Sequence, residues 1–139
     1  MYNKILLTLD TTPADRVIIE HIKALAKEMH SRVVLLHVAD GWAARTHGAD
    51  AVSPEITEDT AYLRGVQAEF QSAGIPAEAE LAFGEPGEQI VKWVRDKSCD
   101  LVAMSTHGHR FVGDLFLGSP SRKVRHSVSV PVLLLKARP

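Results

Sequence analysis

Four short runs of this chain are apolar almost without a break: residues Lys4–Leu9, Arg32–Val38, Asp100–Thr106 and Pro131–Lys136. A strand with water on one face alternates apolar and polar residues. A strand that is apolar throughout is covered on both faces, which is the situation of a parallel sheet between two layers of helices. A fifth run, Ala77–Phe83, alternates and also reads as a strand. Helical patterns separate the runs. Thr12 can cap a helix, Pro13 suits its first position, and Asp15 completes a capping box. Val17, Ile18, His21, Ile22, Leu25, Ala26 and Met29 then share one helical face. A second helix is predicted over Glu55–Ser72, ended by Gly74 with Pro76 beyond. Gly84-Glu85-Pro86-Gly87 turns into a third, from about Glu88 to Lys97, and Ser119-Pro120 opens a last one to about His126. Asp40–Pro54 is a polar loop, expected to be mobile without ligand. Gly108–Gly118 is a glycine-containing segment with a helical stretch near Asp114–Leu117. The order β-α-β-α-β-α-β-loop-α-β is that of an open α/β sheet with helices on both faces. Strand orders 3-2-1-4-5 and 2-1-3-4-5 both satisfy it.

At 139 residues the chain suits one domain spanning 1–139. A formal net charge of -1 argues against broad electrostatic binding to nucleic acid or an anionic membrane. No apolar run approaches the ~20 residues that span a bilayer. Ile5-Leu6-Leu7 is too short for a signal peptide core. The lone cysteine, Cys99, excludes an internal disulfide and fits a reducing compartment, so the cytoplasm is the expected location.

Ligands of open α/β sheets sit outside the carboxyl ends of the strands, where the strand order reverses. In order 3-2-1-4-5 that point lies between strands 1 and 4, whose ends carry Asp10 and Ser105-Thr106-His107-Gly108. Gly108 lets backbone come close to a bound group. Gly118-Ser119-Pro120-Ser121 opens a helix, whose free N–H groups and dipole favour an anion. Arg122 and Lys123 stand in that helix's first turn, where the dipole disfavours cations, and a negative ligand would relieve the conflict. The competing reading makes Ser119 a routine cap and the basic residues a solvated face. Asp10 read alone is a strand-end Asp bonding the next turn. His37 reads as a core or rim residue of its strand, and Trp42 and Trp93 as packing residues. Trp42 also lies in the loop where a base would sit. His107 and His109 form an H-x-H pair with no further ligand at convincing spacing, so no metal site is expected.

Met104-Ser105-Thr106-His107-Gly108, nine further residues, Gly118-Ser119, and the closing Val130-Pro131-Val132-Leu133-Leu134-Leu135 resemble the universal stress protein family. Lys4–Asp10, Val34–Val38, Gly84-x-Pro86 and Asp100-Leu101-Val102 extend the resemblance over essentially the whole chain. The resemblance implies order 3-2-1-4-5, a homodimer, and ATP or another adenine nucleotide as ligand, with Mg²⁺ as an optional companion. It implies that Asp10 faces the nucleoside and Val38 touches the adenine. Met104, Ser105, His107 and Gly108 then pass beneath ribose and phosphate, and Gly118, Ser119 and Ser121 bind phosphate oxygens. No catalytic residue is implied, and turnover is expected to be absent or very slow. Two residues depart from the family motif. Ser105 stands where its first glycine would be, and Pro120 has no N–H to offer an anion.

Other classes are weaker. Thr106-His107-Gly108-His109 matches the H/T-x-G-H motif of nucleotidyltransferases, but that motif belongs after the first strand. A phospho-acceptor receiver needs acidic residues clustered after strand 1 and an Asp after strand 3, where this chain has a single Asp and Phe83-Gly84. A P-loop is absent. An interaction module that binds unidentified protein partners without nucleotide is compatible with the resemblance. In order 3-2-1-4-5 the sheet edges are strands 3 and 5. Glu78 and Glu80 guard strand 3, whereas strand 5 is uncharged until Lys136 and is expected to pair with a second copy.

Overall fold

The structure is a computed structural model that describes residues 1–39, 54–106 and 120–136. The described elements are β1 (Lys4–Thr8), α1 (Asp15–Met29), β2 (Arg32–Ala39), α2 (Pro54–Ser72), β3 (Ala77–Phe83), α3 (Pro86–Asp96), β4 (Leu101–Ser105), α4 (Pro120–Ser127) and β5 (Val132–Leu135). The five strands form one sheet in the order β3-β2-β1-β4-β5, so of the two orders open to the sequence it is 3-2-1-4-5. Every neighbouring pair is parallel, with Leu7 of β1 opposite Leu35 of β2 on one side and Ala103 of β4 on the other.

The apolar runs are covered on both faces, as their composition requires. Leu35, Ile5 and Leu7 turn to one side with Ile18, Ile19 and Ile22 of α1 and Leu63, Val66 and Phe70 of α2. Leu6, Val34, Leu36, Val102 and Met104 turn to the other with Ile90 and Val94 of α3 and Val124 of α4. The chain thus winds outward from β1 to β3 with its helices on one face. It then crosses to β4 and continues with its helices on the other. The order reverses between β1 and β4.

The buried stripe of α1 is Asp15, Ile18, Ile19, Ile22 and Ala26, turned by about one residue from the face predicted. Ile19 is in the core and His21 is exposed. The predicted start is also displaced. Thr12 and Pro13 form a turn, their carbonyls accepting from Asp15 N at 3.0 Å and Arg16 N at 3.1 Å, and no side chain caps the helix. The capping box is absent because Asp15 spends its carboxylate elsewhere, as described below. α3 begins at Pro86, two residues earlier than predicted, because Glu85 caps it by accepting from Gly87 N and Glu88 N.

Three helices end alike. Ser31 N donates to Ala26 O, Ile75 N to Phe70 O and Cys99 N to Val94 O, each reaching back five residues around a left-handed residue. At α2 that residue is Gly74, as predicted, with φ +83°. At α1 and α3 it is His30 and Ser98, with φ +56° and +55°.

β3 and β5 are the edges. At β3 the carbonyl of Ala77 accepts from Gln67 Nε2 and Gln71 Nε2, and Glu78 and Glu80 both approach Lys97 Nζ. Pendant amides and charges thereby guard that edge. The four residues of β5 are each only partly buried.

Candidate functional site at the carboxyl edge

The reversal of strand order puts the ends of β1 and β4 side by side. Asp10 follows β1 directly and is partly exposed. Ser105 is the last residue of β4, beyond the buried Met104. Val38, partly exposed, is the penultimate residue of β2 and packs on the α3–α4 side, where Met104 also lies. Ser121 is the second residue of α4 and partly buried. The structure therefore brings Asp10, Met104 and Ser105 to one edge, with Val38 on the adjoining strand. His107, Gly108, Gly118 and Ser119 lie outside the described residues, as do Trp42, His109, the loop 40–53 and the predicted helical stretch 114–117.

Among the described residues, three buried side-chain atoms have no hydrogen-bond partner: Thr12 Oγ1, Ser105 Oγ and Asp59 Oδ2. Buried polar atoms are almost always satisfied, so each needs a reason. All three lie toward the carboxyl edge. Thr12 is in the turn after β1 and Ser105 at the end of β4, on the two sides of the reversal. Strand periodicity carries Leu101, Ala103 and then Ser105 to the α1 face. A hydroxyl there offers one donor and two acceptor lone pairs. Two such hydroxyls beside Asp10 suit a polyhydroxylic or phosphorylated ligand.

Behind Asp10 is a polar cluster that sequence reasoning missed. Asp15 is 1% exposed, and its carboxylate accepts from Asp10 N at 3.0 Å, Thr11 N at 2.8 Å and Tyr62 Oη at 2.7 Å. Burial, and then the hydrogen bond to Asp15, hold the Tyr62 hydroxyl well above the ordinary phenol range, so it stays a donor. His37 is buried, and its Nδ1 lies 2.7 Å from Leu9 O. Facing a carbonyl, Nδ1 carries the hydrogen and donates. Its Nε2 lies 3.4 Å from Asp59 Oδ2. The readable signal was Asp59 itself. It stands four residues before Leu63, seven before Val66 and eleven before Phe70, on the apolar stripe of α2.

Two clefts lie elsewhere. One of 340 Å³ opens at the amino edge beside Lys4, Arg32 and Glu78. The other, of 290 Å³, lies between α2 and β3 beside Leu63, Arg64 and Ala79. Neither is where an open α/β sheet places its ligand. Among the described residues no group of three or more His, Cys, Asp or Glu can hold a metal ion, and no helix is long and apolar enough to cross a membrane.

The model of the universal stress protein family matches residues 1–136. The chain belongs to that family. It is similar to the universal stress protein MJ0577 of Methanocaldococcus jannaschii, 26% identical over 99% of this chain and 97% of the relative. It is also similar to the universal stress protein YxiE of Bacillus subtilis, 26% identical over 98% of this chain and 100% of that one. The solved structure of MJ0577 superposes with a TM-score of 0.84, covering 100% of this chain and 99% of that one. A universal stress protein solved in complex with cAMP shares the fold with a TM-score of 0.77 at 16% identity, covering 99% and 98% of the two chains. One from Archaeoglobus fulgidus solved in complex with dAMP shares it with a TM-score of 0.73 at 19% identity, covering 97% and 98%. Within this family the H/T-x-G-H resemblance loses its force, since Thr106 here follows β4, on the far side of β1 from β2.

Proposed function

We propose that this universal stress protein binds an adenine nucleotide at the carboxyl edge between β1 and β4 and acts as a ligand-dependent regulator rather than as an enzyme. The observation that carries the reading is the pair of buried hydroxyls without partners, Thr12 Oγ1 and Ser105 Oγ, on the two sides of the strand-order reversal beside Asp10. The complexes of structural relatives with cAMP and dAMP support the ligand class. In this reading Asp10 and Val38 meet ribose and adenine. Met104, Ser105, His107 and Gly108 underlie the ribose and phosphate, and Gly118, Ser119 and Ser121 hold phosphate oxygens. The ligand is ATP or another adenine nucleotide, with or without Mg²⁺. Ser105 replaces the family's glycine, so its hydroxyl substitutes for close backbone approach.

Little or no turnover is expected, because a single carboxylate and a ring of donors offer no positioned general base. The same reading treats residues 1–139 as one cytoplasmic domain that dimerises through the partly exposed edge of β5. The polypeptide partners of such a dimer are unidentified proteins.

Thermal unfolding with ATP, ADP, AMP and cyclic AMP is the test. A ligand at a hundred times its Kd stabilises the folded state by about 2.7 kcal/mol. For a chain of 139 residues that is a rise of about 9 °C. Gly118→Val, which fills the motif's glycine, should abolish the rise. No rise with any of the four at millimolar concentration removes the reading.

A further inference from the structure

We propose that Asp15, Tyr62, His37 and Asp59 are positioning residues that hold the turn after β1, and with it Asp10, in the conformation a ligand requires, so that the docking of α2 and the occupation of the crevice are energetically coupled. The proposal rests on the nucleotide reading above. It begins with the backbone of residues 9–11. Leu9 N donates to Leu36 O at 2.9 Å, and Leu9 O receives His37 Nδ1 at 2.7 Å. Asp10 N and Thr11 N both donate to the Asp15 carboxylate. Four polar groups of the backbone of residues 9–11 are thus held at the point where the chain leaves the sheet, two of them by one buried anion.

Thr11 explains why so much holding is needed. Its φ is +62°, a left-handed conformation that β-branched residues disfavour. Such a residue persists only where its surroundings over-determine it, and such sites cluster where ligands bind. Asp15 supplies the determination. It stands in the first turn of α1, where the helix dipole favours a negative charge.

α2 closes the arrangement from the other side. Asp59 and Tyr62 are one helical turn apart and so share a face. Tyr62 Oη donates to Asp15 Oδ2, and Asp59 Oδ2 lies 3.4 Å from His37 Nε2. One face of one helix therefore reaches both side chains that grip residues 9–11, Tyr62 by a hydrogen bond to Asp15 and Asp59 by its charge beside the His37 ring, its Oδ2 having no hydrogen-bond partner. Asp59 is 6% exposed and His37 8%, and the two face each other away from water. An ordinary packing helix needs neither polar contact. Leu63, Val66 and Phe70 already bury its stripe.

The experiment compares the wild-type chain with Tyr62→Phe, which keeps the ring and removes the hydroxyl. Asp59→Leu, which removes both the charge and any hydrogen-bonding group at the other contact, is a second variant, and Glu58→Ala, at an exposed position of α2, is the control. ATP affinity is measured by calorimetry at a temperature where every protein is fully folded, so that loss of stability alone leaves Kd unmoved. Amide exchange at Asp10 and Thr11 is measured without ligand. The expected result is Kd weakened about fivefold or more in Tyr62→Phe and Asp59→Leu, faster exchange at both amides, and no change in Glu58→Ala. Unchanged Kd in both variants beside a wild type that binds overturns the positioning role and leaves the nucleotide reading standing. A wild type that binds no ATP, ADP, AMP or cyclic AMP overturns the nucleotide reading instead. Exchange then decides the turn: faster exchange in the variants upholds the hold on residues 9–11, and unchanged exchange overturns it.

Discussion

Ser105→Ala should make the ligand-free protein more stable and the liganded one weaker. Ser105 Oγ is buried and has no hydrogen-bond partner. A hydroxyl left in that condition costs about 1–3 kcal/mol of desolvation, which Ala does not incur. Ala also leaves the register of β4 opposite Leu135 undisturbed, since only side-chain atoms are lost. Taking the low end, about 1 kcal/mol, and the size of the chain, the melting midpoint should rise by about 3 °C. If the hydroxyl is there for a ligand, its removal costs the hydrogen bond it would make. Toward a charged phosphate oxygen that is about 1.5–3 kcal/mol, or roughly ten- to a hundredfold in Kd. Differential scanning calorimetry without ligand and titration calorimetry with ATP read the two effects separately. A lower midpoint with an unchanged Kd would refute the reasoning. It would mean that the hydroxyl stabilises the ligand-free fold and meets no ligand. A tighter Kd would refute it differently, by showing that the side chain obstructs the approach that a glycine would permit.

The remaining predictions concern the scaffold. Ser98→Gly relieves the left-handed residue after α3 at φ +55° and should raise stability by about 0.5 kcal/mol in urea unfolding, the strain relieved exceeding the unfolded-state entropy gained; a loss would mean that Ser98 makes a compensating contact. Burial pushes the Cys99 thiol up to about 11, so the native protein at pH 8 should resist a thiol reagent that labels it promptly in guanidinium; rapid native labelling contradicts this. The Arg16 guanidinium, and then the Lys23 ammonium, lower the Glu69 carboxyl to about 2. That contribution is full above the ordinary carboxylate range and is lost as pH falls toward 2, so the stability gap between wild type and Arg16→Ala should close between about pH 5 and pH 2. The pair is partly solvent-exposed, and the gap should not exceed about 1 kcal/mol.

The fold was legible where one physical constraint dominated. Short continuous apolar runs bounded by turn residues read as covered strands, and Gly74 before Pro76 as a helix end. Choosing between the two strand orders needed the family resemblance, because alternation of elements is the same in both. The ends of α1 and α3 were legible to within a residue, at Met29 and Lys97, but the left-handed residues that close them, His30 and Ser98, were not, because their side chains disfavour that conformation. The bonds that close those ends are local, Ser31 N to Ala26 O and Cys99 N to Val94 O, but neither residue is a glycine that would announce them. The start of α1 misled for a related reason. Thr12-Pro13-Ala14-Asp15 has the letters of a capping box, yet a carboxylate at that position serves equally well to bind N–H groups of the preceding turn. Asp10 and Ser105 were reachable from the rule that ligands sit at the reversal of strand order. His37 was read as a core or rim residue, and it is buried, but the cluster it forms with Asp15, Tyr62 and Asp59 was not legible, because the contacts that join its members span long stretches of chain: Tyr62 meets Asp15 across 47 residues. An Asp on the apolar stripe of α2 was the one local sign.

The central claim, that an adenine nucleotide occupies the carboxyl edge between β1 and β4, is tested most directly by backbone amide chemical shifts during titration with ATP and AMP. The account predicts saturable shifts centred on Asp10, Thr11, Val38, Ser105 and Ser121, with one nucleotide per chain and no shifts at Lys4 and Arg32 on the opposite edge. Shifts confined to that opposite edge, or none at millimolar nucleotide, would contradict it.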